Sequence, residues 1–273
     1  AGGGRLRHRL HDAGTVTSGP APDAGGGARP IAHRGCLTQY PENTLAAFRG
    51  CAPSVGMVET DVRRCGSGEL VIFHDDTLDR VTDATGEVAS TPMDVLEDVS
   101  VLGSGESIPR VADVFEALPE DVGVNLELKG RDVATETVAV ADEYDHEVIV
   151  SSFYPDDVAA ARDAGAGTVA HLFYAEEPAD FDVEPALDTA ADLDCEYVHP
   201  SVKLCLETDF VRAARDRGFG INAWTAETES EILELRERGV DGAVINDCRF
   251  AATCRSGQLL QELDHDDAHE PQD

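Results

Sequence analysis

Residues 220–248, GINAWTAETESEILELRERGVDGAVINDC, contain the unit that decides the fold. Short apolar runs at 220–226 and 242–248 predict two strands, and the segment between them has helical periodicity. That segment opens on acidic residues and closes on arginine and glycine, as the helix dipole and a glycine C-cap favour. A strand, a helix and a second strand in this order are typical of a parallel sheet.

The same alternation extends over most of the chain and predicts eight strands. They are expected at 30–35, 57–63, 122–129, 147–153, 168–174, 197–202, 220–226 and 242–248. Eight strands alternating with helices predict an α/β protein of the closed (β/α)8 TIM-barrel class. An open doubly wound sheet is the alternative, although no G-x-G-x-x-G motif follows a strand.

One insertion and two chain ends interrupt this pattern. The stretch GELVIFHDDTLDRV, residues 68–81, predicts an extra hairpin arm after the second strand. The segment from about residue 76 to 109 predicts a small insertion that covers the substrate. We expect a disordered Gly-, Pro- and Arg-rich extension at 1–29, the barrel domain at 30–261 and an acidic disordered tail at 262–273.

The chain is strongly acidic. It has 54 Asp and Glu residues against 21 Lys and Arg, for a formal net charge of −33. The acids are spread along the chain, as in proteins of salt-loving organisms, where a Debye length of roughly 3 Å at about 1 M salt screens self-repulsion. There is no basic patch and no run of 18 apolar residues. We therefore expect neither a nucleic-acid partner nor stable membrane insertion.

Seven cysteines occur without C-x-x-C spacing. We expect reduced thiols in a cytoplasmic protein, and neither a disulfide framework nor a zinc site. Cys36 and Cys248 would end neighbouring strands of a closed barrel, and we interpret this pair as packing residues.

Unusual polar residues fall where the predicted strands end, and the carboxyl ends of barrel strands form one mouth. They are His33, Arg34, Glu59, Asp61, Glu127, Lys129, Trp224, Asn246 and Asp247, with His74 at the end of the hairpin arm. Glu59 and Asp61 share one face of their strand because strand side chains alternate. With Glu127 they would repel one another unless a divalent cation with oxygen ligands, Mg²⁺ or Ca²⁺, is bound. In so acidic a chain, simple surface carboxylates are the alternative.

The cationic residues indicate phosphate chemistry. His33 and His74 suit a general base and a general acid. Arg34 offers a planar fork that matches phosphate oxygens. Lys129 is one of only two lysines in the chain. Together with a metal, these groups suit displacement at a phosphate ester.

This ordered set of residues resembles the glycerophosphodiester phosphodiesterase family. The resemblance covers about residues 31–250 and rests on AHRG with PENTLAAF, VETDVR, GELVIFHDDTLDRVTDATG, NLELK, VSSF, INAWTAET and GVDGAVINDC. It implies a TIM barrel that hydrolyses a small-molecule glycerophosphodiester to glycerol phosphate and an alcohol, with one divalent cation. The last motif reads INDC where the family more usually has Thr-Asp followed by proline, which leaves the substrate detail open.

The resemblance also implies residue roles. The implied metal ligands are Glu59, Asp61 and Glu127. The implied catalytic residues are His33 and His74 as base and acid, with Arg34 and Lys129 holding the phosphate. Glu42 would support the His-Arg turn from behind, and Trp224 would form a wall for the glycerol part. We interpret His199 as a second pocket-lining candidate and His171 as packing.

Two other functions fit less well. A related barrel phospholipase acting on lysophospholipid or sphingolipid headgroups would need an apolar trough, and the sequence shows no obvious aromatic or Met-rich lid. A catalytically silent phosphodiester-binding barrel would be expected to lack His33, His74 or a metal carboxylate, and all are present. The headgroup, the choice of Mg²⁺ or Ca²⁺, direct water attack or a cyclic phosphate, and the oligomeric state stay open at this point.

Overall fold

A computed structural model describes residues 27–257 and residue 259. The acidic tail predicted for 262–273 lies outside the described residues. So does the extension predicted for 1–29, except for its last three residues. Of these, Arg29 already belongs to the first strand, and the backbone N–H of Ala28 donates to the carbonyl of Cys254 at 2.8 Å.

Eight parallel strands close into a ring, and a ninth strand is bonded outside it. The strands are β1 (Arg29–His33), β2 (Met57–Arg64), β3 (Leu70–Ile72), β4 (Gly123–Leu128), β5 (Val148–Ser152), β6 (Val169–Phe173), β7 (Tyr197–Pro200), β8 (Gly220–Ala226) and β9 (Gly242–Ile245). β1 pairs with β2 on one side and with β9 on the other, so the sheet has no gap. The predicted TIM barrel is confirmed, and the open doubly wound sheet is excluded.

The helices connect successive strands of the ring, except that α10 follows the last strand. They are α1 (Leu45–Cys51), α2 (Met93–Leu96), α3 (Val111–Ala117), α4 (Ala134–Ala141), α5 (Pro155–Asp163), α6 (Val183–Asp192), α7 (Val202–Glu207), α8 (Phe210–Asp216), α9 (Glu229–Arg238) and α10 (Ala251–Ser256). In α9, Thr228 and Glu231 form a capping box, and Gly239 ends the helix with a φ of 83°. Both ends therefore agree with the prediction for this helix. None of the helices in the described part of the chain is long and apolar enough to cross a membrane.

The insertion after β2 is a small subdomain with its own core. β3 pairs with β2 in antiparallel fashion, which confirms the hairpin arm that the sequence predicts. The core runs from Cys65 to Ile108 and includes the buried side chains of Phe73 and Leu96. The insertion therefore begins before the predicted residue 76, because the hairpin strand packs with the segment that follows it.

Inside the ring, apolar side chains fill the amino-terminal end. This inner cluster consists of Ile31, Met57, Ile149, Ala170, Tyr197 and Val244. A larger apolar core lies between the strands and the surrounding helices. Because the inner cluster occupies the amino-terminal end, the polar residues of the strands collect at the carboxyl-terminal mouth.

Candidate active site

The first element of the site is the tight turn after β1. Arg34 has a φ of 51° and Gly35 a φ of 82°, so consecutive residues are left-handed. A Cβ atom on Gly35 would lie 2.6 Å from that of Ala47, and only glycine fits there. The Arg34 backbone N–H donates to the carbonyl of Glu59 at 2.9 Å, which ties the turn to β2.

Three carboxylates lie side by side behind this turn. Asp61 of β2 is in register with Glu127 of β4, and Glu59 pairs with Asn125 on the same two strands. Glu59, Asp61 and Glu127 are at most 6% exposed. Each offers an oxygen within 4.8 Å of the others. The three carboxylates therefore do not belong to the acidic surface, which overturns the alternative interpretation from the sequence.

The three carboxyl groups differ in pKa. Burial and the neighbouring Asp61 raise the pKa of Glu59 well above its usual value. Burial also raises the pKa of Glu127 to about 7. Burial opposes ionisation of Asp61 too, but Lys129 and Arg34 lower its pKa to about 2. The cluster thus carries more carboxyl groups than the protein's own cations neutralise.

Two cations contact the cluster from the mouth. Lys129 Nζ lies 2.5 Å from Glu127 Oε1 and 3.3 Å from Asp61 Oδ1. Arg34 Nε lies 3.2 Å from Asp61 Oδ2, and its NH1 group donates to Glu42 Oε1 at 2.9 Å. Although burial lowers it, the neighbouring carboxylates raise the pKa of Lys129. Both side chains are therefore positively charged at neutral pH, beside the opening.

His33 is held at one ring nitrogen. Its Nδ1 is 2.6 Å from Asn246 Oδ1, an atom that can only accept, so Nδ1 donates and carries the proton. Its Nε2 lies 3.9 Å from Glu59 Oε2. Burial and the neighbouring Arg34 lower the pKa of His33 to about 4. At neutral pH the ring is uncharged with a free lone pair at Nε2, which is the form of a general base.

His74 comes from the insertion and is part of a charged chain. Its Nδ1 lies 2.5 Å from Asp75 Oδ1. Arg80 donates to Asp75 and also to both oxygens of Glu42, at 2.8 Å each. Since Glu42 also accepts from Arg34, the two histidine-bearing loops are joined through one buried glutamate.

The family comparison agrees with this arrangement. The family model of the glycerophosphoryl diester phosphodiesterases matches residues 33–249. The chain belongs to this family. The predicted assignment is confirmed, and with it the enzyme class, phosphoric diester hydrolase.

Relatives cover most of the family domain. A glycerophosphodiester phosphodiesterase of Caldanaerobacter subterraneus is 28% identical over 235 residues, 80% of this chain and 93% of the relative. A probable glycerophosphodiester phosphodiesterase 2 of Mycobacterium tuberculosis is 30% identical, over 80% of this chain and 87% of its own length. An Oleispira antarctica phosphodiesterase, solved with the product sn-glycerol-3-phosphate, is 27% identical with a TM-score of 0.73. That alignment covers 84% of this chain and 96% of the structure.

The structure brings the predicted site residues of this family member to one pocket. The pocket has a volume of about 170 Å³. Its lining includes His33, Arg34, Glu59, His74, Glu127, Lys129, His199 and Trp224. Asp61 lies beneath them, and Glu42 lies behind Arg34 and Arg80. The Trp224 ring donates through Nε1 to the carbonyl of His199 at 2.8 Å, so its plane is fixed at the wall.

Sequence reasoning missed four polar residues that contact this set. They are Asn43, Asp75, Arg80 and Asn125. Asn43 Nδ2 donates to Asp61 Oδ2 at 2.9 Å. Asn125 Oδ1 is buried, lines the pocket through its side chain and accepts no hydrogen bond. All four stand in motifs that carry the family resemblance, Asn125 in NLELK, but no role was assigned to them; Asn125 also lies two residues before Glu127, which places both on one face of β4.

A divalent cation fits this donor set. Glu59 Oε1, like Asn125 Oδ1, is buried without a hydrogen-bond partner. Carboxylate and amide oxygens are the ligands that Mg²⁺ and Ca²⁺ prefer. A cation there would also stabilise the ionised form of Glu127, whose pKa is raised in its absence. The acidic cluster can hold the metal that the sequence implied.

One cysteine prediction is wrong. Cys36 and Cys248 form a disulfide, with their Cα atoms 5.6 Å apart, and do not simply pack. The sequence places the two cysteines, 212 residues apart, at the ends of neighbouring strands of a closed barrel, but that proximity does not distinguish packing from a bond. Cys51, Cys65, Cys195, Cys205 and Cys254 are free and buried, as expected for reduced thiols.

Proposed function

We propose that this family member hydrolyses glycerophosphodiesters to glycerol phosphate and an alcohol in a metal-dependent reaction with histidine acid-base catalysis. The observation that supports this most directly is the buried group of Glu59, Asp61 and Glu127 beside two cations and two histidines. The sn-glycerol-3-phosphate held by the Oleispira relative is the product expected of such a reaction.

Glu59, Asp61 and Glu127 would hold one Mg²⁺ or Ca²⁺, with Asn125 close enough in register to add an oxygen. When bound, the cation supplies charge neutralisation and polarisation of a phosphoryl oxygen. Arg34 and Lys129 grip the remaining phosphate oxygens, because both are charged and both face the pocket. Glu42 keeps the Arg34 side chain in place by accepting from its NH1 group.

His33 takes a proton through Nε2, since Nδ1 is already occupied by Asn246. The proton comes from the attacking group, which is either water, giving glycerol phosphate directly, or a free hydroxyl of the glycerol part, giving a cyclic phosphate that water then opens to glycerol phosphate. Burial lowers the pKa of His74, and the carboxylate of Asp75 beside Nδ1 opposes this shift. Protonated His74 gives its Nε2 proton to the departing alcohol oxygen. Trp224 bounds the pocket beside the glycerol part.

Product analysis tests the proposal. The full chain in multimolar salt with Mg²⁺ or Ca²⁺ is mixed with glycerophosphoethanolamine, and products are separated by chromatography. We expect glycerol phosphate and ethanolamine in equal amounts. Release of phosphoethanolamine and glycerol instead would mean that the other ester bond is cleaved, and the proposal would be wrong.

Two wider proposals concern the setting of the enzyme. The net charge of −33 supports a halophilic protein that needs high salt to stay compact. The cytoplasmic location stays a prediction, and the Cys36–Cys248 disulfide is more typical of an oxidising compartment.

A further inference from the structure

Beside the catalytic pocket lies a second, wider recess, here called the aromatic recess. Its volume is about 550 Å³. Its lining residues are Phe153, His171, Leu172, Phe173, Tyr174, Phe181 and Trp224. Phe153, Leu172 and Trp224 also line the catalytic pocket, so the two spaces share a wall. The sequence suggested that His171 only packs in the interior, whereas in the structure it also lines the recess.

The recess concentrates the aromatic residues of the chain. Among 9 Phe, 5 Tyr and 1 Trp in the whole sequence, five line this one space. The centroid of the Trp224 ring lies 5.4 Å from that of Phe153, in an edge-to-face arrangement, and 6.1 Å from that of Tyr174. Tyr174 is 57% exposed, which leaves part of its ring open to a ligand. The sequence shows no obvious aromatic lid because these rings are scattered along the chain and meet only in the fold.

We propose that the aromatic recess binds a quaternary ammonium group, the trimethylammonium end of a choline diester. This inference rests on the proposed function and names the alcohol part of its substrate. Ring faces carry negative potential and attract a cation that is weakly hydrated. An acyl chain would find little aliphatic surface, since Leu172 is the single aliphatic residue of the described lining.

The charge around the recess also fits a cation. From residue 163 to 202 the chain has ten Asp and Glu residues and no Lys or Arg, and this stretch supplies His171, Phe173, Tyr174 and Phe181. Glu176 and Glu177, two and three residues after Tyr174 in this stretch, are exposed. One cation lies near the recess: Lys129 Nζ is 5.8 Å from the centroid of the Phe153 ring, on the catalytic side, so the ring surface open to a ligand is that of Tyr174.

Size supports the same division of the substrate. The catalytic pocket, about 170 Å³, is below the roughly 300–1,000 Å³ of pockets that bury a whole drug-sized ligand. A diester with its phosphate at Arg34 and Lys129 must therefore extend one ester arm beyond this pocket. That arm passes the side chains that the two spaces share and enters the aromatic recess.

Kinetics with a ring-removing variant test the proposal. Tyr174→Leu keeps an apolar side chain but removes the ring. We expect KM for glycerophosphocholine to rise about five- to tenfold, as the loss of one cation–π contact predicts. KM for glycerophosphoglycerol, whose second arm is neutral, should stay within about twofold. The matched control is Tyr154→Leu, since Tyr154 is 59% exposed and lies outside both spaces. It should leave both substrates unchanged.

Two results would overturn the proposal. One is an equal rise in KM for both diesters, which would indicate a general packing role. The other is a larger loss for lysophosphatidylglycerol than for glycerophosphocholine, which would indicate an acyl-chain trough.

A binding measurement separates this proposal from the proposed function. Trp224 is the only tryptophan of the chain and lines both spaces, so its fluorescence reports on their shared wall, and a response that Tyr174→Leu weakens assigns the binding to the recess. Tetramethylammonium chloride should change that signal saturably in the unmodified protein, while potassium chloride at the same ionic strength should not. Binding without turnover of any diester would leave the recess proposal standing and contradict hydrolysis. Turnover of a diester without a tetramethylammonium response would support hydrolysis and contradict the recess proposal.

Discussion

The mouth of the barrel has two unlike halves. Along β1, β2 and β4 it consists of buried charges, with Glu59 and Asp61 on the same face of one strand and Lys129 2.5 Å from Glu127. Along β5, β6 and β8 it consists of rings, with Phe153 and Trp224 in contact. We propose that the first half acts on the phosphate of the diester and that the second half binds its alcohol part. If so, reaction and selectivity should respond to different substitutions.

The largest effect should come from the charged half. His33→Ala removes the group proposed to take the proton, and turnover should fall about 10² to 10⁴-fold. Steady-state kinetics with saturating metal measures it. His146→Ala is the control, because His146 packs on Phe115 and Tyr144 away from the mouth. A change below threefold in His33→Ala would remove the proposed base.

Glu59→Gln should weaken metal binding and activity together. The substitution keeps the size of the side chain but removes a charged oxygen from the cluster. The metal concentration for half-maximal activity should rise about tenfold or more, since hard cations prefer carboxylates. Asp94→Asn, an exposed acid in the insertion, is the matched control. An unchanged metal requirement in Glu59→Gln would refute the ligand role.

Lowering the pH should weaken metal binding in the charged half, because Glu127 takes up a proton. Its pKa is raised to about 7, so below that value a proton must leave before a cation binds. Apparent metal affinity should therefore fall as pH falls, by at least about tenfold per unit below pH 7, because Glu59, whose pKa is also raised, must lose its proton too. Metal titrations at pH 8, 7 and 6 measure this dependence. The slope should flatten in Glu127→Gln, and an equal slope in both proteins would contradict the assignment to Glu127.

Asn246→Ala tests how His33 is positioned. The variant removes the acceptor of the Nδ1 proton, and the loss of one such hydrogen bond, about 1.4 kcal/mol, corresponds to a tenfold fall in kcat. KM should stay the same because Asn246 does not line the pocket. In a His33→Ala background the substitution should have no further effect. A full tenfold loss in that background would show that Asn246 acts elsewhere.

Salt should act on the whole chain and on neither half alone. Because the net charge is −33, screening of self-repulsion should raise Tm steadily between 0.1 and 3 M potassium chloride. Circular dichroism melts measure this. A Tm that is flat over this range would remove the halophilic proposal while leaving the comparison of the two halves intact.

Most of the barrel could be predicted because each strand and helix has a local signal. All eight ring strands begin within one residue of their predicted starts, and their ends differ by up to three. Strand ends are harder to place because, at β9, polar residues such as Asn246 follow the last ladder bond directly. The charged half was predictable for a related reason, since its carboxylates sit at alternate positions of single strands.

The remainder depends on distances across the closed ring. The partner of His33 is Asn246, 213 residues away, and an asparagine after a strand has many ordinary roles. The Cys36–Cys248 bond needs the same closure. The aromatic recess joins residues from Phe153 to Trp224 that are scattered over several elements, so composition alone underestimated it.

Metal-dependent turnover tests the central claim most directly. The full chain is treated with EDTA in multimolar salt, and release of glycerol phosphate from glycerophosphocholine is followed as Mg²⁺ or Ca²⁺ is added back. The buried carboxylates predict that EDTA abolishes the release and that one of the two cations restores it. Undiminished release in EDTA, or no release with either cation from a protein that circular dichroism shows to be folded, would contradict the account.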